Sequence, residues 1–89
     1  MNSYMVVAKF KPNTNMKDVF AVQAEEMAQV AVLKKEGRLG SLSISVPRQT
    51  VFLQVFAPGE TEAHETVNTL PMAKWWDLDV YPTPEPARA

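Results

Sequence analysis

The sequence predicts an α+β domain with the element order β-α-β-β-α-β. Short segments alternate between apolar and polar residues, which is typical of half-buried strands. Two other segments repeat their apolar residues at helical spacing. Proline, glycine and asparagine separate these segments and mark the turns.

Composition limits the functions that this chain is expected to have. Its 89 residues are enough for one domain, and 46% hydrophobic with 21% charged residues is typical of a globular protein. A net charge of −1 argues against nucleic acid or an anionic membrane as partner, because both need a clustered positive surface. The chain has no cysteine and one histidine, so we expect no metal site, and we expect a cytoplasmic protein.

The first strand is predicted at residues 4–11 and the first helix at residues 16–36. Asn15 or Thr14 is placed to cap the start of this helix, and Gly37 stands just beyond its end. Lys34 and Lys35 occupy the last turn, where cations interact favourably with the helix dipole.

A helical wheel places most apolar residues of this helix on one face. The face comprises Met16, Val19, Phe20, Met27, Val30 and Ala31, with Val22 and Leu33 at its edge. Gln23 projects into its middle and Glu26 lies on its border. Because residues three apart share a side of a helix, both are predicted to reach one cavity, although a purely structural role for them is open.

The second and third strands are predicted at residues 39–46 and 50–57. In the second, Leu42, Ile44 and Val46 alternate with serines. The third is apolar on both sides, with Phe52 and Phe56 opposite Val51, Leu53 and Val55. A strand of this kind is expected to be central, with both faces of the sheet covered.

The C-terminal half closes the pattern. A second helix is predicted at residues 60–70, ended by Pro71, and a fourth strand begins at Trp76 and stops at Pro82. Trp75 and Trp76 stand at the corner between them, where paired tryptophans suit the wall of a pocket, an interface or a core. The domain is predicted to span residues 1–82, followed by a proline-rich tail at residues 83–89.

This order is the split β-α-β pattern of the ferredoxin-like fold. Two helices cover one face of such a sheet, yet the third strand is bulky and apolar on both faces. We therefore expect an obligate homodimer that packs sheet against sheet, a dimeric α+β barrel, with the tail reaching onto the neighbouring chain.

Two motifs resemble the muconolactone Δ-isomerase family. The first is Leu33…Gly37-x-Leu39-x-x-Leu42, and the second, more specific one is Leu70-Pro71-Met72-x-x-Trp75-x-x-x-Asp79-Val80-x-Pro82. The resemblance runs from the first strand to Pro82. It implies a dimeric α+β barrel, higher oligomers built from such dimers, and cofactor-free isomerisation of an unsaturated lactone in aromatic-compound catabolism.

The sequence departs from that family after Leu42. A tryptophan–arginine pair tends to follow this leucine in the family, whereas this chain has Ser43 and Ile44. The missing arginine would be a natural partner for a substrate carboxylate.

A proton shift beside a lactone carbonyl needs a base, a group that stabilises the enolate and a dry pocket. We predict Glu26 as the base and Gln23 as the hydrogen-bond donor to the oxyanion. The residues predicted to bind the small-molecule substrate are Tyr4, Phe52, Trp75 and Trp76 as apolar wall, and Lys34 and Arg38 as anchors for an anionic group. His64 is expected to be exposed or capping rather than catalytic, since nothing but Glu60 stands near it on its face to orient it.

Two other functions are open on this fold, because fold does not determine function. One is a cofactor-independent monooxygenase on the same barrel, and the other is a non-catalytic protein that binds a small molecule. The departure at Ser43 and Ile44 favours these alternatives, and the C-terminal motif favours the isomerase.

Overall fold

The computed structural model describes residues 2–84 and has the predicted element order. The elements in chain order are β1 Asn2–Phe10, α1 Met16–Ala21, α2 Gln23–Lys35, β2 Leu39–Ser45, β3 Thr50–Ala57, α3 Glu60–Asn68, a 3₁₀ helix Pro71–Trp75 and β4 Trp76–Pro82. The strands form one antiparallel sheet in the order β2-β3-β1-β4. The ferredoxin-like prediction is confirmed.

The helices cover one face of the sheet, and the core lies between them. The strand residues of this inner face include Tyr4, Val6, Ala8, Val51, Leu53, Val55, Ala57 and Trp76. Val30 and Leu33 of α2 and Ala63 and Val67 of α3 pack onto them. Phe52 and Phe56 point to the opposite face, which we call the outer sheet face, as the alternation in β3 predicted.

The prediction of one helix over residues 16–36 is wrong in one respect. The helix is interrupted at Val22, whose φ of −104° and ψ of 11° are not helical, so α1 and α2 are separate. Asn15 caps α1, as predicted: its side chain accepts a hydrogen bond from the Lys17 N–H at 3.0 Å.

The predicted buried face of this segment is also wrong in part. Val19, Val30 and Leu33 are buried, but Phe20, Met27 and Ala31 are exposed. Apolar residues lie on nearly every side of α2, so the wheel alone did not indicate which side meets the sheet.

The second helix ends earlier than predicted, at Asn68 rather than residue 70. Leu70 precedes Pro71 and is extended, with ψ 134°, because the proline ring disfavours the helical conformation in the residue before it. This extended residue leads the chain into the 3₁₀ helix, and it thereby positions the corner at Trp75 and Trp76.

Gly37 ends α2 with a left-handed conformation of φ 74°. We predict that Gly37→Ala lowers the free energy of unfolding by about 1–2 kcal/mol, because a Cβ strains this conformation although no atom lies within 4 Å of it. Urea unfolding measures the change. Gly59→Ala is the matched control: Gly59 is extended, and its new Cβ would meet only the movable Oε1 end of Glu62, so we expect a smaller loss.

The predicted tail lies mostly outside the described residues. Of its residues 83 and 84, Thr83 continues the pairing beside β1: its N–H donates to the Ser3 carbonyl at 2.9 Å, and the two hydroxyls are 3.1 Å apart. The contact of the remaining tail with a neighbouring chain, and the boundary at residue 82, stay predictions.

Candidate functional site

Glu26 is a buried carboxylate in the first turn of α2. It is 7% exposed and lies on the side of the helix that also carries Val30 and Leu33. These three residues follow the spacing i, i+4, i+7 of a single helix face. Glu26 is therefore part of the buried face itself, deeper than the border position that the wheel predicted.

One oxygen of Glu26 is fixed by the backbone of the 3₁₀ helix. Its Oε1 accepts a hydrogen bond from the Met72 N–H at 3.0 Å, across 46 positions of sequence. Leu70 is extended and Pro71 opens the 3₁₀ turn, which leaves the Met72 N–H free for this contact. The contact holds the start of α2 against this segment and fixes the orientation of the carboxylate.

The other oxygen of Glu26, Oε2, has no hydrogen-bond partner within residues 2–84, and it is not among the fully buried atoms that lack one. An unpartnered carboxylate oxygen that keeps some access to the surroundings is able to accept a proton. The two oxygens thus differ: the backbone holds Oε1, and Oε2 has no partner in the described residues.

Burial changes the acidity of this group. Desolvation raises the pKa of Glu26 above its ordinary 4.5, and the weaker opposing effect is the Met72 hydrogen bond, which favours the charged form. A raised pKa moves a carboxylate towards the range in which it both takes and returns a proton near neutral pH.

Trp76 lies directly after the 3₁₀ helix, whose Met72 N–H donates to Glu26. Its ring packs edge to face on Phe10, the opposite residue in the β1–β4 register, with 6.1 Å between ring centroids and 75° between planes. The Lys11 N–H donates to the Trp75 carbonyl at 2.7 Å and fastens the end of the 3₁₀ helix to the end of β1. This end of the inner face is therefore an aromatic corner.

The indole N–H of Trp76 has no hydrogen-bond partner in the described part of the chain, although the atom is buried. A buried unpaired donor costs about 1–3 kcal/mol, and such groups in native proteins need a specific explanation. The 3₁₀ helix thus connects two features: its Met72 N–H orients the Glu26 carboxylate, and Trp76 directly after it carries a buried donor with no partner in residues 2–84. The sequence predicted Trp76 as wall only and missed both its unpaired N–H and the Met72 amide.

Gln23 does not belong to this corner. It is exposed at the first position of α2, so the prediction that it projects into the buried face is wrong. The physical reason is the break at Val22, after which Glu26 and not Gln23 turns towards the sheet.

The structure separates the remaining predicted residues from Glu26. Tyr4 is buried on the inner face but lies six residues along β1 from Phe10, which is about 20 Å. Lys34 is exposed in the last turn of α2, about 12 Å along the helix from Glu26. Phe52 lies on the outer sheet face. Tyr4, Lys34 and Phe52 therefore do not share one pocket with Glu26 within a single chain.

Arg38 joins two elements. Its Nη2 donates to the Thr66 hydroxyl at 2.9 Å, that hydroxyl donates to the Glu62 carbonyl at 2.9 Å, and Nη1 lies 3.5 Å from Glu36 Oε1. These contacts hold the loop after α2 against α3 and engage both terminal nitrogens of the Arg38 guanidinium.

Trp75 is half-buried beside the corner, and the Lys74 ammonium lies 4.6 Å from the centroid of its ring. His64 is half-buried on α3, next to the buried Ala63, rather than fully exposed.

Residues 2–84 contain no group of three or more metal-binding side chains that could hold an ion. None of the helices in this part of the chain has the length and apolarity needed to cross a bilayer.

A family model described as muconolactone delta-isomerase matches residues 3–86. The chain belongs to the muconolactone delta-isomerase family. A search among curated proteins gives no significant match. The match to the muconolactone delta-isomerase family extends over β1, the aromatic corner and β4, so it includes every element that contributes to the site.

Proposed function

We propose that the protein catalyses a cofactor-free proton shift in muconolactone or a similar unsaturated lactone of aromatic-compound catabolism, with Glu26 as the base. The observation that carries the proposal is the environment of the Glu26 carboxylate. The side chain is buried, the Met72 N–H orients it, and burial raises its pKa. Membership of the muconolactone delta-isomerase family supports the reaction class.

The reaction needs one group that moves a proton in both directions. Glu26 Oε2 removes a proton from the sp³ carbon at one end of the allylic system, and the electrons of that C–H bond move into the conjugated carbonyl to form a dienolate. The same carboxyl then returns a proton to the other end of the system. The double bond has moved, and no atom or electron has been gained or lost.

The dienolate carries its charge on the lactone oxygen. Since Gln23 is exposed, the donor that we propose for this oxygen is the N–H of Trp76, which has no hydrogen-bond partner in residues 2–84. A donor held in an apolar corner stabilises developing charge more than it would in water. Lys74, the exposed cation of the same segment, is placed to attract the substrate carboxylate in the absence of the family arginine.

The assay is the absorbance of muconolactone incubated with purified protein, with the product identified by NMR, in air and without oxygen. We expect an isomeric lactone at the same rate under both conditions. Consumption that requires oxygen would overturn the isomerase and favour the monooxygenase. No turnover under either condition, with binding retained, would favour a non-catalytic binding protein.

We propose further that the protein is a homodimer joined through the outer sheet face. Phe52 is 39% exposed there, Tyr81 is exposed, and Met5, Val7 and Phe56 are half-buried, with no helix among residues 2–84 on that face. A bulky apolar face of this kind favours a second sheet.

We predict that Phe52→Glu separates the subunits, because a carboxylate in the centre of this face is costly to bury. Light scattering after size exclusion should show half the wild-type mass or less. Thr61→Glu, at an exposed position of α3, is the control and should leave the mass unchanged. An unchanged mass for Phe52→Glu would contradict the sheet-to-sheet dimer.

A further inference from the structure

Two hydrogen bonds join one side of α2 to residues 69–72, where α3 ends and the 3₁₀ helix begins. One is the Glu26–Met72 contact that orients the carboxylate. The other lies three residues away on each partner: Gln29 Nε2 donates to the Thr69 hydroxyl at 3.0 Å. Residues three apart share a side of a helix, so the two contacts lie next to each other along α2. We call the contact between Gln29 and Thr69 the corner clamp.

The Thr69 hydroxyl has a fixed direction. Its Oγ1 lies 2.7 Å from the Thr66 carbonyl oxygen and donates its proton there. A hydroxyl has one proton, so towards Gln29 it can only accept, and the side-chain amide must present its N–H. Gln29, Thr69 and Thr66 therefore form a chain of hydrogen bonds with one possible polarity.

The far end of this chain of hydrogen bonds is anchored in the core. Thr66 is 2% exposed, and its own hydroxyl accepts from Arg38 and donates to the Glu62 carbonyl, both at 2.9 Å. The Thr69 N–H also donates to the Thr66 carbonyl, at 3.2 Å. Backbone and side chain thus hold Thr69 in one place, and the corner clamp fixes α2 against it.

The chain from Thr69 to Met72 has little freedom to move independently of the corner clamp. Leu70 is 2% exposed and extended, and the ring of Pro71 fixes its own φ. Only these two restrained residues separate the clamp from the Met72 N–H. The position of Thr69 against α2 therefore determines where that N–H lies, and with it the orientation of Glu26.

We propose that Gln29 is a positioning residue of the site: through Thr69 it holds the Met72 N–H against the Glu26 carboxylate. Gln29 acts only on the orientation of the base and makes no contact with the reacting atoms. This role rests on the proposed function of Glu26 as base. The corner clamp itself is present without substrate, so it can be measured separately from the reaction.

The first test is the NMR signal of the Met72 amide in the folded protein without substrate. An amide proton that is hydrogen-bonded to a carboxylate resonates downfield, so this signal reports the contact with Glu26. Thr69→Val removes the hydroxyl and keeps the shape of the side chain, and it should move the Met72 signal upfield. Thr69→Ser keeps the hydroxyl and should retain the wild-type position. Thr61→Val, at an exposed threonine of α3, is the matched control and should leave the signal unchanged.

Gln29→Leu tests the other half of the corner clamp. It removes the amide donor and leaves the bond between Thr69 and Thr66 intact, and it should move the Met72 signal in the same direction. The double variant Gln29→Leu with Thr69→Val should show no larger change than the larger of the two single changes, because both variants remove one contact. An unmoved Met72 signal, or two effects that add in full, would overturn the proposal.

The second test is the turnover of muconolactone by the same variants. Misorientation of the base should lower the kcat of Gln29→Leu and Thr69→Val by about 3–10-fold with KM nearly unchanged, and Thr69→Ser should keep the wild-type kcat. Urea unfolding checks that each variant is folded under the assay conditions. A displaced Met72 signal with wild-type kcat would overturn the positioning role. A wild-type protein without turnover would overturn the isomerase function alone, since the Met72 signal still decides whether the clamp holds the amide.

Discussion

Replacing Glu26 by glutamine is expected to reduce turnover of muconolactone by about 10²–10⁴-fold, the usual contribution of a general base. The amide keeps the size of the side chain and an oxygen that can accept the Met72 N–H, so the corner retains its geometry. It has no basic oxygen to take the proton. The rate constant kcat should therefore fall, whereas the KM for the lactone should change much less.

Stability distinguishes this loss from misfolding. Because the pKa of Glu26 is raised on folding, the folded state holds its proton more tightly than the unfolded state does. The stability that protonated Glu26 gives the folded state is fully present below the ordinary pKa of 4.5. It is lost as the pH rises through the pKa of Glu26 in the folded state. A neutral glutamine avoids this loss, so Glu26→Gln should be at least as resistant to urea as the wild type at neutral pH.

Glu25→Gln is the matched control, because Glu25 is the exposed glutamate in the same turn. It should retain wild-type turnover. If both variants lose activity equally, or if Glu26→Gln retains it, Glu26 is not the base.

Replacing Trp76 by phenylalanine is the second large effect. The change removes the free indole N–H and keeps an aromatic ring against Phe10. Loss of one donor to a developing oxyanion lowers kcat by about 10²–10³-fold. We expect this loss to appear in kcat and in kcat/KM together, because the donor acts on the charge that forms during the reaction.

The same variant should cost little stability. The unpartnered N–H is itself unfavourable in the folded protein, and its removal offsets part of the packing lost with the larger ring. Trp75→Phe is the control: Trp75 is half-buried beside Lys74, and we expect nearly wild-type kcat from it. A Trp76→Phe enzyme with unchanged kcat would show that the residue serves only as wall.

The architecture was predictable because its strands have unambiguous patterns. The alternation in the second strand, the double-sided third strand and the Pro71 stop place most elements within two residues of their observed bounds. Each of these signals is local, and a regular antiparallel sheet follows from them. The interruption at Val22 has no such signal, because valine is compatible with a helix.

The site was less predictable, since it depends on contacts between distant parts of the chain. Glu26 stood out in the sequence as a charge bordering an apolar face, but its partner is a backbone N–H 46 positions away. Gln23 was misplaced because α2 has apolar residues on both sides, and a wheel does not indicate which side meets the sheet. The unpaired N–H of Trp76 is a property of tertiary packing and has no signal in the sequence.

The measurement that tests the central claim most directly is the pH dependence of kcat/KM for muconolactone with the wild-type protein. This profile reports the ionisation of the base in the free enzyme. We predict that kcat/KM rises with pH through a single acidic limb, with its midpoint above the ordinary glutamate pKa of 4.5. A midpoint at or below 4.5, or a rate that falls as the pH rises over this interval, would contradict a buried Glu26 carboxylate as the base.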